Sequence, residues 1–315
     1  MTEGNAPKKG KVVIADALDA SAIDLLKEHF EVLDVSKEPG RLPEAMAQAR
    51  GLLVRSRTKV DVALLEKAPA LEVIGRAGVG VDNIDVLAAH KRGIVVVNAP
   101  GAAAQSVAEL TVGLLVAIAR DFGSHIPSLK EGKWTKGTNG LELSGRTVGL
   151  IGYGRIGREV AKRLRAFGMK IQAYDPYVTK ADDGTSLVSL DDLLATSDVV
   201  SLHAAAMSGN QYLLDRAAFA RMRKGVLILN VARGKLIEEA ALIEALESGR
   251  VAGAGLDVFE EEPPRNPKLY QHPKVVGVPH IGASTREAQE KAGRTVAEDV
   301  LRVLQGETPE FPVHV

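Results

Sequence analysis

Arg233, Glu262 and His280 are the residues of this 315-residue chain whose types could move a proton beside an anion, and each follows an apolar run that reads as a strand. Arginine offers a carboxylate a planar fork. Imidazole exchanges a proton near neutral pH, and a glutamate can hold its ring in one orientation. The runs are Asn230-Val231-Ala232-Arg233-Gly234, Gly255-Leu256-Asp257-Val258-Phe259-Glu260-Glu261-Glu262-Pro263 and Val278-Pro279-His280-Ile281-Gly282. Earlier, Val148-Gly149-Leu150-Ile151-Gly152-Tyr153-Gly154-Arg155-Ile156-Gly157 carries Gly-x-Gly-x-x-Gly from a buried run into a helical period. Gly152 permits a tight turn, Gly154 lets a pyrophosphate approach the backbone, and Gly157 allows helix and strand to pack closely. The helix N-terminus at Arg155 and Ile156 supplies N–H donors. The next run, 170–174, ends at Asp175, 18 residues after Gly157. An acid there can accept both hydrogen bonds of an adenosine ribose and repels a 2′-phosphate, so the spacing predicts NAD rather than NADP.

Such groups need a scaffold that gathers strand ends. Short β-branched runs alternate with helical periods along almost the whole chain, which predicts an α/β protein with doubly wound parallel sheets. One series of strands lies at 11–15, 31–35, 51–54, 73–76 and 95–97, with helices such as 21–29 and 61–68. A second lies at 147–151, 170–174, 199–202, 226–230, 252–257 and 275–278, with helices such as 155–167 and 238–247. Between them, 105–130 reads as mostly helical, and the glycine-rich stretch 132–145 carries the single Trp, Trp134. Residues 285–305 form one amphipathic period with Ala288, Ala292, Val296, Val300 and Leu304 on a common face. In open doubly wound sheets the carboxyl ends of the strands face the ligand crevice, so Arg233, Glu262 and His280 are expected to converge there.

Composition narrows the partners. Lys+Arg and Asp+Glu both total 40, so no net basic field exists to hold nucleic acid or an anionic membrane. A charged substrate must meet a local cluster instead. Cysteine is absent, which excludes disulfides, thiolate nucleophiles and thiolate metal sites and suits a reducing compartment, with the cytoplasm as the default. No metal ligand set is expected. The apolar run 110–119, bounded by Glu109 and Arg120, falls short of the roughly 20 residues that span a bilayer. Asp16 and Asp19 interrupt any export signal after Lys8, Lys9 and Lys11.

With these motifs in this order over residues 12–305, the sequence resembles the D-isomer-specific 2-hydroxyacid dehydrogenase family. The resemblance implies that Arg233 clamps the substrate carboxylate and polarises the keto oxygen, that His280 is the acid–base group, and that Glu262 orients it. It also implies that Val231, Ala232 and Asp257 lie at the nicotinamide, with His203 and Ala204 lining the cofactor cleft. Pro176 beside Asp175 and Gly282 beside His280 complete the implied cofactor set. The implied architecture is Rossmann- and flavodoxin-like: a discontinuous substrate domain, 1–99 plus 286–315, into which an NAD-binding domain, 100–285, is inserted. The active site would occupy the cleft between them. The helix after Gln105 and the segment around Trp134 are similar to the family's dimer interface, which implies a homodimer or a dimer of dimers.

Leu53-Val54-Arg55-Ser56-Arg57-Thr58-Lys59 and Gly75-Arg76-Ala77-Gly78-Val79-Gly80-Val81-Asp82-Asn83 are similar to segments of 3-phosphoglycerate dehydrogenases. Backbone N–H groups of Gly78, Val79 and Gly80 would receive a carboxylate. Arg55 and Arg76, with Lys136 from a partner subunit, would receive a phosphate. The implied reaction is NAD-dependent oxidation of 3-phospho-D-glycerate to 3-phosphooxypyruvate, a step toward serine, and the partner a small anionic 2-hydroxy or 2-keto acid. A glyoxylate or hydroxypyruvate reductase is the alternative within the class, and an NADH-responsive co-regulator the alternative outside it. The chain departs from the family at Ala204-Ala205-Ala206, where Thr-Pro-Leu is usual, at 207–210, and at Gly101-Ala102-Ala103-Ala104. Alanine keeps its N–H and C=O, so backbone contacts can persist there. The chain stops at Val315, so feedback by serine through an appended domain is not expected.

Overall fold

The computed structural model describes residues 10–134, 137, 139–205 and 212–314. Lys136, Ala206 and the departure at 207–210 lie outside the described residues. The chain divides into two compact units, Met1–Ala103 with Ala283–Val315, and Ala104–Gly282. The inserted unit therefore starts four residues later and ends three residues earlier than the expected span, 100–285. Two local features set these limits. Ala104 opens a helix, Ala104–Ala119, that packs on the second unit's sheet, and the Gly282 N–H donates to Asp257 of the same unit.

The first unit holds β1 (Lys11–Ile14), β2 (Glu31–Asp34), β3 (Ala49–Val54), β4 (Val73–Arg76) and β5 (Val95–Asn98). They pair in parallel in the order β2-β1-β3-β4-β5. Apart from the edge strand β2, the strands are largely apolar and buried because both faces are covered. Val13, Leu52 and Ile74 pack with Met46 and Leu65 on one face. Val12, Leu53 and Val73 pack with Leu26, Val296 and Val300 on the other. The last two belong to the helix Arg286–Leu304, which starts where the Thr285 hydroxyl accepts the Ala288 N–H. A Cβ on Gly75 would lie 2.4 Å from Val296, so glycine lets this helix reach β4. Strand order reverses at β1, and Asp16 and Arg55 lie at the carboxyl ends on either side of that switch point.

Among the described residues the second unit has seven parallel strands: β6 (Thr147–Ile151), β7 (Lys170–Tyr174), β8 (Ser186–Leu187), β9 (Val199–Leu202), β10 (Val226–Asn230), β11 (Val251–Leu256) and β12 (Val275–Gly277). Their order is β12-β11-β10-β9-β6-β7-β8. Six strands are legible in the sequence. The seventh, β8, pairs only Ser186 and Leu187 with β7 and is too short to leave a hydrophobic period. The helical stretch expected at 105–130 is two helices, Ala104–Ala119 and Phe122–Lys130, broken at Asp121, whose φ of 52° is left-handed. Among the described residues no helix is long and apolar enough to cross a membrane.

Candidate active site

β6 runs into the glycine turn, with β9 on one side and β7 on the other. Gly152 has φ +95°, and a Cβ there would lie 2.6 Å from the His203 backbone. A Cβ on Gly157 would lie 2.3 Å from the Gly152 carbonyl oxygen. These two glycines are required by the turn itself. Gly154 is different: it has an ordinary φ of −80° and nothing lies within 4 Å of its Cβ position. The fold does not need a glycine there, but a pyrophosphate approaching the backbone does. Gly154 is also the cap of the helix Arg155–Ala166 and supplies no capping side chain. The first-turn N–H groups of Arg155, Ile156 and Gly157 thus face the same opening with the positive end of the helix dipole. The cradle therefore fits a dinucleotide phosphate.

Asp175 ends β7. Its Oδ2 accepts the Tyr153 N–H at 2.8 Å and its Oδ1 the Tyr177 N–H at 2.9 Å, an arrangement that fixes the carboxylate beside the turn and brackets Pro176. Each oxygen keeps capacity for another hydrogen bond, as ribose hydroxyls require. Tyr153 also anchors the far end of this loop, its buried hydroxyl donating to Asp183 at 2.6 Å and meeting Thr185 at 2.7 Å. At the end of β9, the His203 N–H donates to the Ile151 carbonyl at 2.7 Å and its Nε2 meets the Ser201 hydroxyl at 2.8 Å. Its Nδ1 is buried with no hydrogen-bond partner among the described residues. Burial pushes this imidazole down to about 3, so it is neutral at physiological pH. Ala204 follows it, half-buried.

β10, β11 and β12 are neighbours, so the three chemical side chains follow three adjacent strand ends. After β10, the buried Asn230 side chain accepts the Ala232 N–H at 3.1 Å and donates to the Arg233 carbonyl at 2.9 Å, closing the turn that presents Arg233. Arg233 Nη1 donates to the Ala232 carbonyl at 2.8 Å, and Val231 and Ala232 are buried beneath it. After β11, Asp257 is buried and burial raises its pKa. Its two oxygens accept the N–H groups of Ile281 at 2.6 Å and Gly282 at 2.9 Å, and its carbonyl accepts the His280 N–H at 2.9 Å. Asp257 thus holds the loop in which His280 takes a left-handed φ of 52°. The His280 Nδ1 lies 2.7 Å from the Glu262 Oε2. With Nδ1 on the carboxylate, Nε2 is the nitrogen that can meet a substrate. A cavity of about 250 Å³ lined by Phe259, Glu262, Pro263, Pro264, Pro279 and His280 adjoins the pair.

The first unit treats its two arginines after β3 differently. Arg57 donates to Asp16 at 3.1 Å and to the carbonyls of Ala15 and Ser36, each at 2.8 Å, so it is consumed by the fold. Buried Asp16 also accepts the N–H groups of Arg55 at 2.7 Å and Thr58 at 3.1 Å and the Thr58 hydroxyl at 2.7 Å. Burial raises the Asp16 pKa, but these donors outweigh it and hold the carboxyl below the usual range. Asn83 bonds the carbonyls of Arg55 and Thr58 from the other side, at 2.8 Å and 2.6 Å. Arg55 thus lends the loop only its backbone; its guanidinium makes no hydrogen bond or ion pair among the described residues. Arg76 folds over Gly78, where a Cβ would lie 1.5 Å from its Nη1. Asn98 holds the Val79 carbonyl at 2.6 Å in the turn that continues to Gly80. Asp16, Asn83, Asn230 and Tyr153 are site-building residues the sequence reading passes over. Asp16 and Asn230 carry one visible signal, a polar residue directly after an apolar run; Asn83 and Tyr153 carry none.

A model of the D-isomer specific 2-hydroxyacid dehydrogenase NAD binding domain matches residues 112–282. The chain is 48% identical over 313 residues to a D-3-phosphoglycerate dehydrogenase of Methanocaldococcus jannaschii, covering 97% of this chain and 59% of that protein. It is 47% identical to a hydroxypyruvate reductase of Thermotoga maritima, covering 93% of this chain and 98% of the relative. Among solved structures, a glyoxylate reductase from Paecilomyes thermophila superposes with a TM-score of 0.87 at 31% identity, covering 98% of this chain and 99% of that one.

Proposed function

This chain belongs to the D-isomer specific 2-hydroxyacid dehydrogenase family, and from that premise we propose that it oxidises 3-phospho-D-glycerate to 3-phosphooxypyruvate with NAD. The observation that carries the chemistry is the Glu262–His280 contact of 2.7 Å on the strand ends next to that of Arg233. The residues that would hold NAD are the glycine turn 152–157 for its phosphates, Asp175 and Pro176 for its adenosine, and His203, Ala204, Val231, Ala232, Asp257 and Gly282 toward its nicotinamide. When bound, NAD supplies the acceptor for the hydrogen that leaves C2 as hydride.

The protein's part is to bind and to move one proton. Arg233 holds the carboxylate by its fork and stabilises negative charge on the C2 oxygen. His280 Nε2 takes the hydroxyl proton as the carbonyl forms, and Glu262 on Nδ1 stabilises the imidazolium that results. In reduction the same nitrogen returns the proton. The backbone N–H groups of Gly78, Val79 and Gly80 also receive the carboxylate, and the phosphate falls to Arg55 and Arg76, supported by the clamped Arg55 loop and by the likeness to a D-3-phosphoglycerate dehydrogenase.

Unphosphorylated hydroxypyruvate is the competing substrate, favoured by the likeness to the Thermotoga maritima protein. Rates with NADH and 3-phosphooxypyruvate, hydroxypyruvate or glyoxylate separate the two. A kcat/KM for the phosphorylated acid about tenfold or more above the others, about 1.4 kcal/mol of transition-state preference, is expected. A preference for hydroxypyruvate replaces the proposed substrate, and NADH binding without turnover replaces the enzyme by a sensor.

The proposed assembly is a homodimer seated on the helix Phe122–Lys130. Phe122, Ile126 and Leu129 share one face of it and are 42%, 49% and 59% exposed, and Trp134 beyond it is 83% exposed. Light scattering at one chain mass would refute this.

A further inference from the structure

Glu239 and Glu260 exchange backbone hydrogen bonds. The Glu239 N–H donates to Oε1 of Glu260, and the Glu260 N–H donates to Oε1 of Glu239, each at 2.9 Å. Glu239 opens the helix Glu239–Glu247, and the preceding Glu238 makes no side-chain cap. The cap comes instead from Glu260, in the loop after β11. Glu260 stands two residues before Glu262, and Glu239 six residues after Arg233. A second contact joins the same two segments, because a Cβ on Gly234 would lie 1.8 Å from the Phe259 carbonyl oxygen. The turn bearing Arg233 is thus fastened at two points to the loop bearing Glu262.

The choice of two carboxylates for this link is electrostatically costly. Burial raises the Glu239 pKa; the Glu260 N–H opposes that, and the charges of Glu260 and Glu261 add to it. The Tyr212 hydroxyl also donates to Glu260, at 3.4 Å. A cap alone needs only one acceptor, which serine or asparagine supplies without repulsion. What a single short cap cannot do is bond in both directions across two segments.

We propose that Glu239 and Glu260 are positioning residues for the reaction, their reciprocal pair setting the Arg233 clamp against the Glu262–His280 acid–base group. This rests on the roles given to Arg233 and His280 above. The test is equilibrium binding of NADH, and then of oxamate to the NADH complex, oxamate being an inert mimic of a 2-keto acid, together with kcat. Glu239→Ala and Glu260→Ala are expected to weaken oxamate binding and lower kcat by about tenfold, with NADH affinity within about twofold of wild type. Glu239→Gln and Glu260→Gln keep an acceptor oxygen and restore both. If the alanine variants do not fold, Glu260→Asp, which withdraws the acceptor by one methylene, must show the same loss confined to oxamate and kcat. Variants that bind oxamate like wild type, or that lose NADH and oxamate in proportion, overturn the proposal. Wild-type protein that binds NADH but not oxamate overturns the Arg233 assignment itself, and the clamp with it.

Discussion

Each unit carries a glycine turn after a buried parallel strand, and the two are built differently. Gly152 and Gly78 both have positive φ, +95° and +152°. The Gly152 turn runs directly into a 12-residue helix, and the space over Gly154 is open to 4 Å. The Gly78 turn is roofed by Arg76, and the next helix, Val86–Lys91, begins only six residues after Gly80. The first turn therefore offers backbone N–H groups and a helix dipole to a spread diphosphate. The second turn is covered by the Arg76 side chain, which leaves no open space above the glycine for a spread diphosphate. A glycine-rich strand end is not in itself a nucleotide signal; what covers the turn decides.

The contrast breaks most readily at the glycines of the second unit. Gly157→Ala places a Cβ against the Gly152 carbonyl, which is backbone and cannot step aside. NADH affinity is expected to fall by about 100-fold or more, with a lower melting temperature. Gly154→Ala should melt like wild type and still lose about tenfold in NADH affinity, because its methyl enters only the space meant for phosphate. Titration calorimetry with melting curves checks both, and a Gly154→Ala protein with undiminished affinity would remove the cradle.

A smaller effect sharpens the first unit. Arg57→Ala takes a charged donor from buried Asp16 and should cost about 1–3 kcal/mol of stability, read from urea unfolding. Arg55→Ala should leave stability unchanged and raise KM for 3-phosphooxypyruvate about tenfold while sparing glyoxylate. Equal losses on both acids would deny Arg55 its phosphate. The smallest effect is one of pH. His203 is held near 3 in the fold and titrates near 6.5 when unfolded, so between about pH 6.5 and 3 the unfolded state alone binds its proton. Stability should then fall with pH by up to about 1.4 kcal/mol per unit from this group, and His203→Gln should flatten that part of the slope in melts between pH 7.5 and 5.

The dinucleotide device was readable because it is local. Strand, glycine turn, helix and Asp175 lie within one βαβ unit, and the backbone demands of each are carried by its own residues. The side chains proposed to carry the reaction were readable only as polar residues at strand ends. That Arg233, Glu262 and His280 follow neighbouring strand ends comes from the order β10-β11-β12, which β-propensity does not encode. β8 and the break at Asp121 went unread, one for want of length and the other because one left-handed residue leaves no pattern.

By itself, the sequence determined two parallel α/β sheets, the glycine turn of the NAD-binding unit and the types of the groups proposed to react, since periodicity, turn stereochemistry and side-chain chemistry act over a few neighbouring residues. Only the tertiary structure decided that Arg57 rather than Arg55 is tied to the fold by its side chain, because the choice belongs to Asp16 after another strand. It likewise decided that Glu239 reaches Glu260 and that Asp257 holds the His280 loop. A buried carboxylate takes whatever donors the sheet order brings within about 3 Å, and that order is set by packing of the whole unit rather than by adjacency along the chain.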